Sequence, residues 1–158
     1  MPQFTTCLWF DTQAEDAAKF YASIFPNSKI TNVSRYGKNQ PGPEGQVMIV
    51  NYELNGQSFM GLNGGPIFPP SEAYSQVVRC SDQTEIDHYW DRLLAGGGKP
   101  SQCGWLKDKF GVSWQIVPEE IGELMTTGGQ KKADAVMQAV LQMVKLDLGK
   151  MRAAYNAA

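Results

Sequence analysis

Few side chains in this sequence could perform chemistry, and their spacing reduces the set further. The one histidine, His88, stands between Asp87 and Tyr89, and a metal site or a general base would need companions that no neighbour supplies at suitable spacing. His88 is therefore expected at the surface. Cys7, Cys80 and Cys103 form no C-x-x-C pair and, being three, cannot all be bridged, so they read as free thiols suited to a reducing compartment. Cys103, before Gly104, has no histidine near it in sequence to generate a thiolate. Arg79 lies beside Val78 and Cys80. Burying it would be costly without an anion, so it must meet an internal carboxylate, reach solvent, or pair with a ligand carboxylate or phosphate. Gln115, between Trp114 and Ile116, needs a hydrogen-bond partner if enclosed, whether backbone or ligand. The acidic trio Glu119, Glu120 and Glu123 follows Pro118, where it complements a helix N-terminus better than it serves acid–base catalysis.

These groups need elements to place them. Thr5 to Phe10 is β-branched and aromatic and ends at Asp11-Thr12, which reads as a strand followed by a turn. Ala17, Phe20, Tyr21, Ile24 and Phe25 then recur at helical spacing until Pro26-Asn27 stops them. Ile30 to Tyr36 and Val47 to Leu54 read as strands around a Gly- and Pro-rich loop. Asn55-Gly56 predicts a type I′ hairpin turn into Ser58 to Leu62. The order β-α-β-β-β returns about 70 residues later, with Tyr74 to Cys80 in place of the first strand. The second helix carries Ile86, Tyr89, Trp90, Leu93 and Leu94 and ends at Gly96-Gly97-Gly98. Phe20 and Trp90 are then the equivalent core anchors. Gln102 to Leu106 and Val112 to Val117, with a turn between them, complete the second half. Past the linker Thr126 to Gln130, a final helix of about Asp134 to Tyr155 presents Met137, Leu141, Val144, Leu148, Met151 and Tyr155 as an apolar seam. Gly149 weakens the interior of that helix, and the seam packs on its own sheet or on a neighbouring chain.

A chain of 158 residues with 42% hydrophobic and 19% charged residues can bury a core of its own. A net charge of -2, with no basic run beyond Lys131-Lys132, gives no footprint for nucleic acid. Met1-Pro2-Gln3-Phe4 begins no signal-like segment and no long apolar run follows, so the expectation is a cytoplasmic protein with no membrane partner.

The paired βαβββ units, with Leu8-Trp9-Phe10-Asp11, Phe20-Tyr21, Leu62-Asn63-Gly64-Gly65-Pro66, Gly104-Trp105-Leu106-Lys107-Asp108 and the run Phe110 to Pro118, resemble the PhnB-like family. That family is also labelled the 3-demethylubiquinone-9 3-methyltransferase domain and lies within the glyoxalase, or vicinal-oxygen-chelate, superfamily. The resemblance implies an α+β fold of two tandem modules forming an incomplete barrel, plus a C-terminal helix. It implies a single domain over residues 1–125 (modules 1–66 and 72–118), with linker and helix over 126–158. It also implies a cleft whose metal ligands lie on the first and last strands of each module. Those positions become Thr5, Met60, Ser75 and Gln115, or, one residue on, Thr6, Gly61 or Gln76. Hydroxyls, a thioether and an amide do not make the imidazole and carboxylate set that holds a catalytic metal, so neither a metal nor a cofactor is expected. Nor is there a glycine-rich turn between strand and helix to cradle a methyl donor, since Gly96-Gly97-Gly98 follows a helix and Gly64-Gly65-Pro66 links the modules.

Strand alternation extends the set. If Leu8 and Phe10 meet the first helix, Thr5, Cys7 and Trp9 face the cleft, and Ser75, Val77 and Arg79 are their equivalents. Trp9, Trp105 and Trp114 are candidate flat walls or plain core. The expected ligand-binding lining is Thr5, Cys7, Trp9, Met60, Ser75, Val77, Arg79, Trp105 and Gln115. The function expected is metal-free binding of an unknown small molecule. The alternative is an enzyme using the same cleft. The family's paired modules and the apolar seam imply a homodimer.

Overall fold

A computed structural model describes all residues from Met1 to Ala158, and the chain divides into two compact units, Met1–Pro70 and Ser71–Ala158. In the first, the β-branched and aromatic run gives β1 (Thr6–Phe10), and Ala14, Ala17, Ala18 and Tyr21 form the buried face of α1 (Ala14–Ala22). Three alanines let the helix lie close to the sheet: a Cβ on Gly61 would come within 3.1 Å of Ala14 Cβ. Strands β2 (Lys29–Arg35), β3 (Val47–Leu54) and β4 (Gln57–Asn63) follow in the expected order. Asn55 and Gly56 adopt φ of 47° and 80°, the positive values a type I′ turn requires. The sheet runs β1-β4-β3-β2, with β1 and β4 parallel and the remaining pairs antiparallel. Its inner face, including Leu8, Phe10, Val50, Tyr52 and Phe59, is buried, each large side chain contributing about 1.5–3 kcal/mol.

The anchor expected at Phe20 is displaced by one residue. Tyr21 is fully buried and its ring packs on Tyr52, while Phe20 is only half-buried. The alanine face sets the helix phase, and Tyr21 continues it. Trp90 is buried as expected.

The second unit repeats the plan with β5 (Ser75–Cys80), α2 (Gln83–Leu94), β6 (Lys99–Pro100), β7 (Trp105–Lys107) and β8 (Ser113–Pro118), ordered β5-β8-β7-β6 with β5 and β8 parallel. The strand expected from Gln102 begins only at Trp105. Cys103 and Gly104 take φ of 59° and 82°, which no pleated ladder accommodates. Their N–H groups donate instead to the carbonyls of Met143 and Val144 at 2.8 Å each.

That contact also explains the main correction to the reading of the sequence. The single helix expected from Asp134 to Tyr155 is two helices, α4 (Gln130–Leu141) and α5 (Leu148–Ala157), preceded by a short α3 (Ile121–Thr126). Between α4 and α5 the chain turns, its carbonyls satisfy the Cys103–Gly104 turn, and Asp147 restarts the helix by accepting from Lys150 N–H at 2.9 Å. The seam is split accordingly. Met137, Leu141 and Val144 are exposed, whereas Leu148 and Met151 are buried. Val136, Val140, Met143, Leu146 and Met151 close a cluster with Leu124 and Val117, so the C-terminal segment packs on its own unit. Gly149 falls in the first turn of α5 rather than mid-helix. Glu120 precedes α3 and forms a two-pronged pair with Arg152 at 2.6 and 2.8 Å.

Candidate functional site

In the first unit, alternation along β1 and β4 turns Cys7, Trp9, Met60 and Leu62 away from α1. The register brings Cys7 beside Met60 and Trp9 beside Leu62. Trp9 is half-buried; its indole N–H donates to Gly65 O at 2.8 Å and its ring meets Phe68 edge-on at 5.0 Å. The ring also lies where a Cβ on Gly64 would stand, which gives Gly64 of the Leu62-Asn63-Gly64-Gly65-Pro66 motif a packing role. Thr5 lies one residue before β1 and is exposed. Gly61, an alternative ligand position, faces α1, and the same alternation puts Thr6 and Gln76 on the helix side of their sheets.

In the second unit, Ser75, Val77 and Arg79 on β5 share the outward face with Gln115 on β8 and Trp105 on β7. Gln115 pairs directly with Val77 and Trp105 and donates from Nε2 to Ser75 Oγ at 2.9 Å. Val77 is 48% exposed, which is high for a mid-strand valine. Arg79 reaches solvent with no ion-pair partner, and Trp105 is half-buried. Trp114 is core: it faces α2, is buried, and donates its indole N–H to Asp108.

The thiols divide by burial. Cys80 is buried, and desolvation, reinforced by nearby Glu85, Asp82 and Glu119, pushes it up to about 12. It stays protonated and unreactive at neutral pH. Cys7 is exposed, yet desolvation at the sheet surface raises it too. His88 is exposed as expected, its ring edge-on to Tyr89.

The resemblance drawn from the sequence implies a metal, and the side chains present do not fit one. Gln115 donates to Ser75, Met60 offers only a thioether, and Thr5 only a hydroxyl. No group of three or more His, Cys, Asp or Glu side chains is gathered anywhere in the structure. The methyl-donor cradle fits no better: the two strand-to-helix junctions read Asp11-Thr12-Gln13 and Ser81-Asp82, without the glycines that let backbone approach such a cofactor.

Two polar residues missed in the sequence prove structurally central. Asn63 Oδ1 accepts from Ala14 N–H at 2.8 Å, its Nδ2 donates to Val47 O at 3.0 Å, and Tyr36 OH donates to its carbonyl. Asp108, 3% exposed, accepts from the N–H groups of Phe110 and Val112 and from Trp114 Nε1. Both lie inside the motifs that carry the family resemblance, and the signal available was a lone acid or amide in an aromatic and glycine-rich run. Asn63 also borders a groove of about 790 Å³, lined by residues including Asp11, Glu15, Asp16, Arg35 and Tyr36. None of the nine predicted residues lines it. Two of its charged groups are engaged: Arg35 donates to Gly45 O and Glu15 pairs with Lys19, which holds the Glu15 carboxyl below the usual range. It reads as a surface groove.

The family model described as 3-demethylubiquinone-9 3-methyltransferase matches residues 2–117. Among solved structures, the Bacillus cereus PhnB protein, described under the same methyltransferase name, is 38% identical, with 74% of this chain and 99% of that one covered at a TM-score of 0.66. A Pseudomonas aeruginosa protein at 19% identity covers 75% of this chain and 98% of its own, TM-score 0.62. The fosfomycin resistance protein FosX of Listeria monocytogenes, 13% identical over 77% of this chain and 94% of its own, has a TM-score of 0.55. The last two show the fold alone. A search among curated proteins gives no match. With the family model spanning most of the sequence, both modules in place and the motif residues Asn63 and Asp108 holding them, the chain belongs to the 3-demethylubiquinone-9 3-methyltransferase, or PhnB-like, family.

Proposed function

We propose that the protein binds a small molecule on the outward sheet faces without a metal ion. The observation that carries this is the Ser75–Gln115 hydrogen bond at 2.9 Å. At a position where the superfamily places metal ligands, this chain has neutral groups that bond to each other. The proposed contacts are Thr5, Cys7, Trp9 and Met60 on the first unit's sheet and, separately, Ser75, Val77, Arg79, Trp105 and Gln115 on the second unit's sheet. A neutral amide and hydroxyls orient a ligand through hydrogen bonds, and tryptophan and valine supply apolar contact.

The test is metal analysis of the purified protein before and after chelation, followed by melting-temperature shifts against metabolites and antibiotics. The expected result is no stoichiometric metal and a stabilising small molecule whose effect survives chelation and is lost in Gln115→Leu. One bound divalent ion that restores the melting temperature after chelation defeats the reading. The competing reading is an enzyme acting at the same place. It draws on the family's methyltransferase name and predicts turnover of the stabilising compound.

We also propose a homodimeric, cytoplasmic protein. Met137, Leu141 and Val144 leave an apolar stripe exposed on and beyond α4, and all three cysteines are free thiols. Light scattering that shows only monomer at micromolar concentration removes the dimer.

A further inference from the structure

We propose that the second unit carries a subsite for a small oxyanion, the carboxylate or phosphate-type head group of a ligand, on one transverse row of its sheet. The register sets Ser75 opposite Ser113, Ser113 opposite Lys107, and Lys107 opposite Lys99. Directly opposed residues project to the same side. The row is thus two hydroxyls followed by two ammonium groups, crossing the sheet from β5 to β6.

A pocket of about 250 Å³ lies over part of this row, lined by Glu72, Lys99, Ser101, Trp105, Lys107 and Ser113 among others. It has room for a head group rather than a whole large ligand. Within it Ser113 is 1% exposed and its Oγ has no hydrogen-bond partner. Buried hydroxyls are nearly always bonded, so this one is a donor with nothing inside the chain to receive its proton. Ser75 Oγ accepts from Gln115, which leaves its own proton to donate as well.

The charges agree. Lys107 Nζ holds Glu72 Oε1 at 2.6 Å, with Lys107 35% and Glu72 64% exposed. A carboxylate oxygen therefore already sits at this ammonium, on a side chain loose enough to be exchanged. Lys99 is exposed and has no ion-pair partner, so the pocket lining carries two lysines for one carboxylate. An incoming oxyanion would take the place of Glu72 and gain the second lysine and the orphan hydroxyl.

This deepens the small-molecule reading, since Trp105 belongs to both sites. Calorimetric titration of the full-length chain with inorganic phosphate, methylphosphonate and acetate tests it, the acetate arm separating carboxylate from phosphate-type ligands. Saturable binding is expected. Lys107→Met should weaken it at least tenfold. Glu72→Gln should tighten it severalfold, because the competing carboxylate is gone. Ser113→Ala should weaken binding, and Lys107→Met and Glu72→Gln carry the test if that variant folds poorly. Uptake that does not saturate, equal binding by Lys107→Met, or unchanged or weaker binding by Glu72→Gln overturns the subsite. If Gln115→Leu abolishes small-molecule binding while Lys107→Met leaves anion binding intact, the broader reading stands and the subsite falls. Anion binding with the predicted Lys107 and Glu72 effects, but with no small molecule dependent on Gln115, keeps the subsite and removes the broader reading.

Discussion

The two βαβββ units solve the same problem, how to start the helix after the first strand, by different means. In the second unit the solution is local: Asp82 caps α2 by accepting from Glu85 N–H at 2.9 Å, and Glu85 reaches back to accept from Ser81 N–H at 2.8 Å. In the first unit Gln13 makes no side-chain cap bond, and the orphan N–H of Ala14 is met by Asn63 from β4, 49 residues away. The units also differ outside the helix. Leu62 and Val117 hold corresponding places on the last strands, beside Trp9 and Arg79. Leu62 is half-buried, but Val117 is enclosed by the α3–α5 cluster. One repeat is thus fixed by long-range polar contacts and the other by local capping plus an added helical cover.

The largest test concerns Asp108, which has no counterpart in the first unit, where the Asn55-Gly56 turn suffices. Asp108→Ala removes the acceptor of three N–H groups, two of them in buried bonds, and a loss of about 3–5 kcal/mol is expected in urea unfolding; a loss under about 1 kcal/mol would show that the turn holds itself. The helical cover comes next. Met151→Ala, at a fully buried position, should cost about 2–4 kcal/mol, whereas Met137→Ala, on the exposed stripe, should stay within about 0.5 kcal/mol in the monomer at high dilution. Equal costs would mean that α4 and α5 are one continuous helix in solution.

The caps give a smaller and sharper contrast. Asn63→Ala removes both the Ala14 cap and the bond to Val47 and should cost about 2 kcal/mol, against about 1 kcal/mol for Asp82→Ala. Reversal of that order would break the distinction between distant and local capping.

The last contrast lies at high pH. Phe10 and Cys80 end corresponding strands, but only Cys80 titrates, and its pKa is raised from 9.0 to about 12 by burial. Above pH 9 the unfolded chain loses this proton while the folded chain keeps it, so stability is complete below pH 9 and declines as pH rises toward 12. Cys80→Val should flatten that decline in melting temperature; an unchanged slope would assign it to other groups.

The paired units were legible because their signals are local. Asn55-Gly56 needs only its own backbone to form a turn, and the strand-to-helix change of period at Asp11 and Ser81 is written in adjacent residues. The outward placement of Cys7, Trp9, Ser75 and Gln115 followed from alternation once Leu8 and Phe10 were assigned to the helix side. The C-terminal helix was misread because a seam spaced by fours and threes fits one long helix. Its interruption depends on Cys103 and Gly104, some 40 residues earlier, demanding two carbonyl acceptors. The row Ser75, Ser113, Lys107 and Lys99 was likewise invisible, since it exists only across four strands in a given register.

The order of elements, the hairpin, the inward and outward parity of each strand and the shortage of metal-ligating side chains were determined by the sequence itself, because each depends on neighbours along the chain. Which distant groups share a hydrogen bond, where the last helix breaks and which hydroxyl is buried without a partner were decided by tertiary structure alone, because a polar group's partner is set by what folding places within about 3 Å of it.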